Sequence, residues 1–317
     1  MGKKPSTVAA IEIRPSCLKF VEMPRNERRV LSAGVFPLEP GRWRDREHLV
    51  AQVRSALDTT ALGNVVRLIA CVPLGHAFLR VVDVPPDVNA HDHVAWELSK
   101  YLARPLEEYA CDFQAEAAAP EFESMEPEAR RYLAAAFRRA ETITLRETLE
   151  HATGLALTAL DIDAAAVVNT FTFAHPEFLG ERVIILNANT EATTVVRTHQ
   201  GTFQGAVVRR DAGNALRSDA EAQERAEGLL RCARGISESL ADATQGWNAP
   251  DRVFLCGDLA VDADFKELLR TRLPAGFSLL NPYRNMPGPD PADSPGAYPG
   301  ALFAATTGIA LRMAEEF

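Results

Sequence analysis

Residues 187–190, Asn-Ala-Asn-Thr, make a short polar turn between Val183-Ile184-Ile185-Leu186 and Thr193-Thr194-Val195-Val196-Arg197. The backbone N–H groups of such a turn, together with a following helix start, can cradle the oxygens of an anion such as a phosphate. Gln200-Gly201 then turns the chain into residues 202–209, so the stretch is an antiparallel meander with a very tight first turn. Other chemistry-bearing groups carry weaker signals. His91 and His93 lie two residues apart, which on a helix points their rings to different faces. That reads as a solvated helix start and not a metal site. The five cysteines, at 17, 71, 111, 232 and 256, are odd in number and show no C-x-x-C spacing. They read as reduced cytosolic thiols packed as small hydrophobes.

Around these groups lies a chain of 317 residues, long enough for two lobes with real cores. Its 47% hydrophobic and 24% charged residues are those of an ordinary globular protein. The net charge of −9 argues against nucleic acid and against adsorption to anionic lipid. Apolar runs are cut by Glu12, Asp83, Asp161 and Arg197, too short to span a membrane, and the start lacks the apolar core of a secretory signal. Met1-Gly2-Lys3-Lys4-Pro5-Ser6 fits the loose myristoylation pattern, which is common by chance.

Residues 8–13, 17–23 and 29–37 repeat the strand–turn–strand–turn–strand layout about 170 residues before its second occurrence, with Pro15-Ser16 in the first turn. A duplicated meander predicts two pseudo-equivalent α/β lobes facing each other. Helical spacing marks residues 45–57, and strands follow at 65–72 and 78–84. Asn89 caps a helix whose apolar face carries Val94, Leu98, Tyr101 and Leu102 before Pro105. Residues 109–117 read as an edge strand and 115–128 as an acidic loop. Residues 130–139 are ambiguous, their alanines favouring helix while Tyr132, Leu133 and Phe137 suit a strand. A helix at 141–152 closes at Gly154, a strand follows at 155–162 and a helix at 164–173. In the second half a long helix at 219–240 turns Ala226, Leu229, Leu230, Ala233, Ile236 and Leu240 inward. Strand 252–255, helix 264–273, a Pro/Gly-rich loop at 281–300 and a terminal helix at 301–315 complete the chain.

This order of pieces resembles the actin-like ATPase superfamily, and within it the PilM family of type IV pilus assembly proteins, relatives of the cell-division protein FtsA. The most specific match is Trp96-Glu97-Leu98-Ser99-Lys100-Tyr101-Leu102 followed by Pro105-Leu106-Glu107-Glu108 and Asp112. Residues 8–22, Arg80-Val81-Val82-Asp83-Val84-Pro85, Gly154-Leu155, Asp161-Ile162-Asp163, Asn281-Pro282-Tyr283 and Gly308-Ile309-Ala310-Leu311-Arg312 match as well, so the resemblance covers nearly the whole chain. It implies a bilobal α/β actin-like, duplicated ribonuclease-H-like fold. The first lobe would be residues 1–180 with an inserted subdomain at about 86–150. The second would be 181–317 with a reduced helical part at about 213–248. It also implies ATP and Mg²⁺ as cofactors, held around Glu12, Arg14, Ser16, Lys19, Asn187, Asn189, Thr190, Gly213, Gly257 and Asp258. The implied partner is the short cytoplasmic tail of a bitopic inner-membrane protein, PilN, gripped near the inserted subdomain, with Trp96, Tyr101 and Phe113 as contacting aromatics. The protein would then be cytoplasmic and reach the inner membrane through that partner. Contacts with pilus motor and platform proteins, and self-association, are further implied options.

The departures from the family pattern fall on the nucleotide loops. Where the first phosphate loop reads roughly Asp-Ile-Gly-Ser-Ser-Ser in the family, this chain has Glu12-Ile13-Arg14-Pro15-Ser16. Arg14 puts a side chain where glycine lets the backbone approach phosphate, and Pro15 deletes a donor. The second loop, Asp-Ile-Gly in the family, is Asn187-Ala188-Asn189, and Asn187 brings no charge for Mg²⁺. The adenosine loop, a Gly-Gly pair in the family, is Gly257-Asp258. Each loss costs about 1–3 kcal/mol, and each 1.4 kcal/mol is tenfold in affinity. The expectation is a scaffold with a degenerate, non-hydrolysing site.

Three alternatives stay open. Glu12 acting through water on Mg²⁺, with Arg14 neutralising a phosphate, would preserve nucleotide binding. An active ATPase or kinase would need an acidic base, for which Asp161, Asp163 and Asp211 are the placed candidates. The cytoplasmic module of a type II secretion subunit shares the fold, though the chain shows no C-terminal membrane segment.

Overall fold

The computed structural model describes residues 6–39, 45–58, 65–116, 129–210, 222–243, 249–273, 276–287 and 299–315. Strands β1 (Thr7–Ile13), β2 (Cys17–Pro24) and β3 (Ser32–Pro37) form the first meander. With β4 (Val65–Val72) and β8 (Leu157–Ile162) they build a five-stranded sheet of order β3-β2-β1-β4-β8, in which β1, β4 and β8 run parallel. The second meander is β9 (Arg182–Ala188), β10 (Thr193–His199) and β11 (Thr202–Arg209). Joined by β12 (Arg252–Cys256) and β13 (Ser278–Leu279), it makes a second sheet of order β11-β10-β9-β12-β13 with the same pattern of directions. The repeated meander therefore does mark two equivalent sheets, β1 corresponding to β9 and β4 to β12.

Five layers result. Helices α1 (Arg46–Asp58) and α3 (Arg139–Thr153) cover the outer face of the first sheet, against Ala9, Ile11 and Leu68. Helices α5 (Ala222–Ala243) and α6 (Ala263–Arg272) cover the outer face of the second, against Ile184, Leu186 and Leu255. Between the sheets lie α4 (Asp163–Ala174) and α7 (Ala304–Glu315), packed on Val8, Ala10, Val183 and Ile185. Both central strands are thus buried on both faces, which is why they are nearly continuous apolar runs. The inner helices are built of small residues because they must approach closely. A Cβ at Gly308 would meet the Ala166 carbonyl oxygen at 1.9 Å, and Thr170 Oγ1 donates to the Ala304 carbonyl at 2.5 Å.

Between β4 and β8 the chain inserts a three-stranded antiparallel sheet of order β5-β7-β6, from β5 (Ala77–Val84), β6 (Tyr109–Ala115) and β7 (Arg130–Arg138). It begins before residue 86, since β5 pairs with β7 along its whole length, and α3 leaves it to pack on α1. Helix α2 (Ala90–Ser99) covers one face, its Val94 and Leu98 meeting Val82, Val84, Ala134 and Ala136. The ambiguous stretch is the middle strand, because small alanines alternate toward α2 while Leu133, Ala135 and Phe137 face the first lobe. The Asn89 cap holds, its side chain accepting from Asp92 N at 3.2 Å.

Three sequence expectations need correction. Strand β3 starts at Ser32, not residue 29. Helix α2 ends at Ser99, where the Lys100 N–H turns back to Glu97, so Tyr101 leaves the apolar face and is 48% exposed, stacked between Phe78 and the Arg80 guanidinium. On α5 Ala226 is exposed, and Cys232 and Ser239 are the extra inward residues. Among the cysteines, Cys111 is exposed and the other four are buried free thiols. The acidic loop at 117–128 and most of the loop at 281–300 lie outside the described residues.

Substituting Gly308→Ala forces α4 and α7 apart at their tightest point. Chemical denaturation is expected to show a loss of about 1–3 kcal/mol.

Candidate functional site

Strand alternation carries the polar ends of the two central strands into one cleft. Glu12 follows Val8 and Ala10 on the inner face of β1, and Asn187 follows Val183 and Ile185 on the inner face of β9. Lys19 is the cross-strand neighbour of Glu12 on β2, and Cys256 that of Asn187 on β12. The β1–β2 turn closes through Arg14 N to Cys17 O at 2.9 Å, and the β9–β10 turn through Asn189 N to Ala192 O at 3.0 Å. Gly257, after β12, has φ 92° and no room for a side chain, since a Cβ would lie 2.4 Å from the Ala188 carbonyl oxygen. Asp163 opens α4 and accepts from Leu74 N at 2.8 Å.

Two cations fill the space between these loops. The Arg14 guanidinium is 1% exposed and donates to three carboxylates: Glu12 Oε1 at 2.5 Å, Glu191 Oε1 at 2.6 Å and Asp163 Oδ2 at 2.9 Å. The Lys19 ammonium, equally buried, lies 2.7 Å from Asp258 Oδ1, 3.5 Å from Asn189 Oδ1 and 3.9 Å from Glu12 Oε2. Thr306 of α7 donates to Glu12 Oε2 at 2.8 Å. The asparagines complete the set: Asn187 Nδ2 donates to Asp163 Oδ2 at 3.0 Å, and Asn189 Nδ2 to Asn187 Oδ1 at 3.0 Å. The Asp258 N–H donates to Asn189 Oδ1 at 3.1 Å, and Ser16 Oγ lies 3.2 Å from Thr190 Oγ1.

The electrostatics follow from burial and pairing. Burial pushes the Glu12 carboxyl up, but Lys19 and Arg14 outweigh it and leave Glu12 below the usual range. For Asp163 burial wins over the Arg14 charge and the carboxyl sits above its ordinary value. Burial disfavours the Lys19 ammonium, yet Asp258 and Glu12 hold it more firmly protonated than usual. The same burial raises the Cys17 thiol to about 12.

Phosphate does not fit this arrangement. Each of the three Arg14 guanidinium nitrogens is engaged by a carboxylate, Pro15 offers no N–H, and the Arg14 and Asn189 amides close their own turns. Two cations face the four carboxylates Glu12, Asp163, Glu191 and Asp258, so an incoming triphosphate meets net negative charge. Asp258 Oδ2 is itself buried without a hydrogen-bond partner among the described residues, an acceptor where an anion would need donors. Among those residues no group of three or more His, Cys, Asp or Glu side chains is set to hold a metal ion. Asn187 carries out a task that a carboxylate at its position cannot, donating to Asp163.

Glu12, Arg14, Ser16, Lys19, Asn187, Asn189, Thr190, Gly257 and Asp258 thus converge, while Gly213 and Asp211 lie outside the described residues. Glu191 and Thr306 complete the network without having been singled out in the sequence. The signal for Glu191 was its place beside the turn, and Arg14 with no phosphate to meet called for a carboxylate. Asp161 faces elsewhere, paired with Arg312 Nη1 at 3.1 Å. Trp96 and Tyr101 sit on the α2 side of the inserted sheet, 56% and 48% exposed. The opposite face of that sheet borders a cleft of about 460 Å³ against the first lobe, lined by Leu79, Leu133 and Phe137 on one side and Ile69 and Ile309 on the other. Phe113 lies on the α2 side as well, its ring against His91 and Tyr132.

Two sheets of identical topology, the paired inner helices and the loop cleft between them define an actin-like ATPase fold. Within that fold the chain is similar to a solved PilM-PilN type IV pilus biogenesis complex, at 20% identity over 97% of this chain and 98% of that one, with a TM-score of 0.79. It is also similar to the ethanolamine utilization protein EutJ from Carboxydothermus hydrogenoformans, at 10% identity, 98% and 90% coverage and TM-score 0.52. A third likeness is to the activator of the 2-hydroxyisocaproyl-CoA dehydratase from Clostridium difficile with bound ADPNP, at 8% identity, 98% and 95% coverage and TM-score 0.50. No protein-family model matches the sequence, and no curated protein does.

Replacing Asp258 by Ala leaves the Lys19 ammonium buried beside Asn189 and the more distant Glu12. Urea denaturation is expected to show a loss of about 3–5 kcal/mol, with Asp258→Asn, which keeps an acceptor oxygen, losing less.

Proposed function

We propose that this protein is an actin-like scaffold in the inner-membrane assembly platform of a type IV pilus or related secretion machine, and that its nucleotide site is degenerate. In this reading it is a cytoplasmic protein, not an enzyme, that reaches the membrane by binding the cytoplasmic tail of a bitopic partner similar to PilN. The observation that carries the reading is the phosphate cleft filled by Arg14 and Lys19 with their carboxylates. A site so occupied has lost the use that the fold serves elsewhere, and surfaces for partners remain. The likeness to a solved PilM-PilN complex supports a tail as the partner. No described helix is long and apolar enough to cross a membrane, which suits recruitment through a tail.

The cleft between the inserted sheet and the first lobe is the seat we assign to the tail. Its floor of Ile69, Leu79, Leu133, Phe137 and Ile309 takes apolar side chains. Trp96 and Tyr101, turned to the other face, are left out of this seat.

Fluorescence anisotropy with a labelled synthetic peptide, the tail of the PilN-like protein of the same genome, tests the reading. Micromolar binding is expected, weakened at least tenfold by Leu133→Glu and unchanged by Trp96→Ala. No binding at 100 micromolar, or loss with Trp96→Ala alone, would overturn the assignment.

A further inference from the structure

The network in the cleft does more than exclude phosphate, because both of its cations carry contacts from one lobe to the other. Arg14, on the β1–β2 turn, joins Glu12 and Asp163 of the first lobe to Glu191 of the second. Lys19, on β2, joins Glu12 to Asp258 and Asn189. Asn187 of β9 reaches back to Asp163 of α4, and Ser16 and Thr190 meet between the two turns. We propose that Arg14 and Lys19 are a resident lock, holding the two lobes closed through the same loops that would otherwise close around a nucleotide.

Three features support the lock beyond ordinary surface pairing. The first is burial: Glu12, Arg14, Lys19 and Asp163 are each 0–1% exposed, so their pairs are neither screened by salt nor free to exchange with water. The second is geometry. A guanidinium offers its donors in a rigid planar fork, and here three edges of that fork meet three carboxylates from β1, α4 and the β9–β10 turn, which sets the distance between the lobes. The third is the cost of opening. Buried ion pairs add little net stability over apolar packing, but separating the partners strands charges in a poorly solvated cleft, so the closed arrangement is specified sharply. The consequence is that lobe closure is constitutive, set by side chains and not by a ligand cycle.

Hydrogen–deuterium exchange of the full chain tests this without any peptide or nucleotide, so its failure is distinguishable from failure of the tail assignment. In Arg14→Gly, residues 12–19, 187–193 and 256–260 are expected to exchange at least tenfold faster than in the unmodified protein, while β5 and β7 of the inserted sheet, which have their own core, exchange unchanged. Glu191→Gln, at the partly exposed edge of the network, should accelerate the same three segments by a smaller factor. If Arg14→Gly does not fold, Glu191→Gln alone decides. Unmodified rates in all three segments would overturn the lock, and so would acceleration spread evenly over β5 and β7.

Discussion

The position of the Arg14 guanidinium governs the centre of this molecule. A charge with almost no access to water must be matched where it lies, and here the matching groups come from both lobes. Glu12 and Asp163 fix it within the first lobe, and Glu191 ties it to the second. The departures that the family resemblance places in separate loops meet in this one network. Arg14 brings the cation, Asn187 donates to Asp163, and Asp258 receives Lys19.

The rest of the fold serves to bring those loops within reach. Two sheets of the same topology point the ends of β1 and β9 at each other, and the small-residue helices α4 and α7 let the sheets close on a thin middle layer. Thr306, at the start of α7, and Asp163, at the start of α4, add that layer's own contacts to the network. The inserted sheet stands apart from this centre. It has its own small core beneath α2 and turns its other face toward the first lobe, where the cleft of Leu133, Phe137 and Ile309 lies.

Much of this was legible in the sequence, and what was not has a physical reason. The meanders were readable because β-branched runs between tight polar turns have few other ways to fold, and their repetition exposed the duplication. Residues 130–138 were not, since alanine is a helix former by intrinsic preference and becomes a strand residue only where α2 leaves no room for anything larger. Tyr101 was misplaced because the helical period ran on past the point where Lys100 closes α2. The departures at residues 12–16, 187–189 and 257–258 could be seen, but their mutual compensation could not: Asp163 and Glu191 lie 149 and 177 positions from Arg14, and no local pattern joins them. Which face of the inserted sheet carries the cleft was likewise set by packing that the spacing of Trp96, Tyr101 and Phe113 does not report.

The central claim, that side chains occupy the cleft in place of a nucleotide, meets its most direct test in titrating the purified protein with Mg·ATP, followed by calorimetry and by thermal shift. The account predicts no saturable heat and no change in melting temperature up to millimolar ATP. Ligand binding to the folded state stabilises it by about 2.7 kcal/mol at a hundredfold excess over Kd, so a genuine site would be plain in both readouts. Saturable binding with such a shift would contradict the account and would mean that Arg14 and Lys19 leave their carboxylates to receive phosphate.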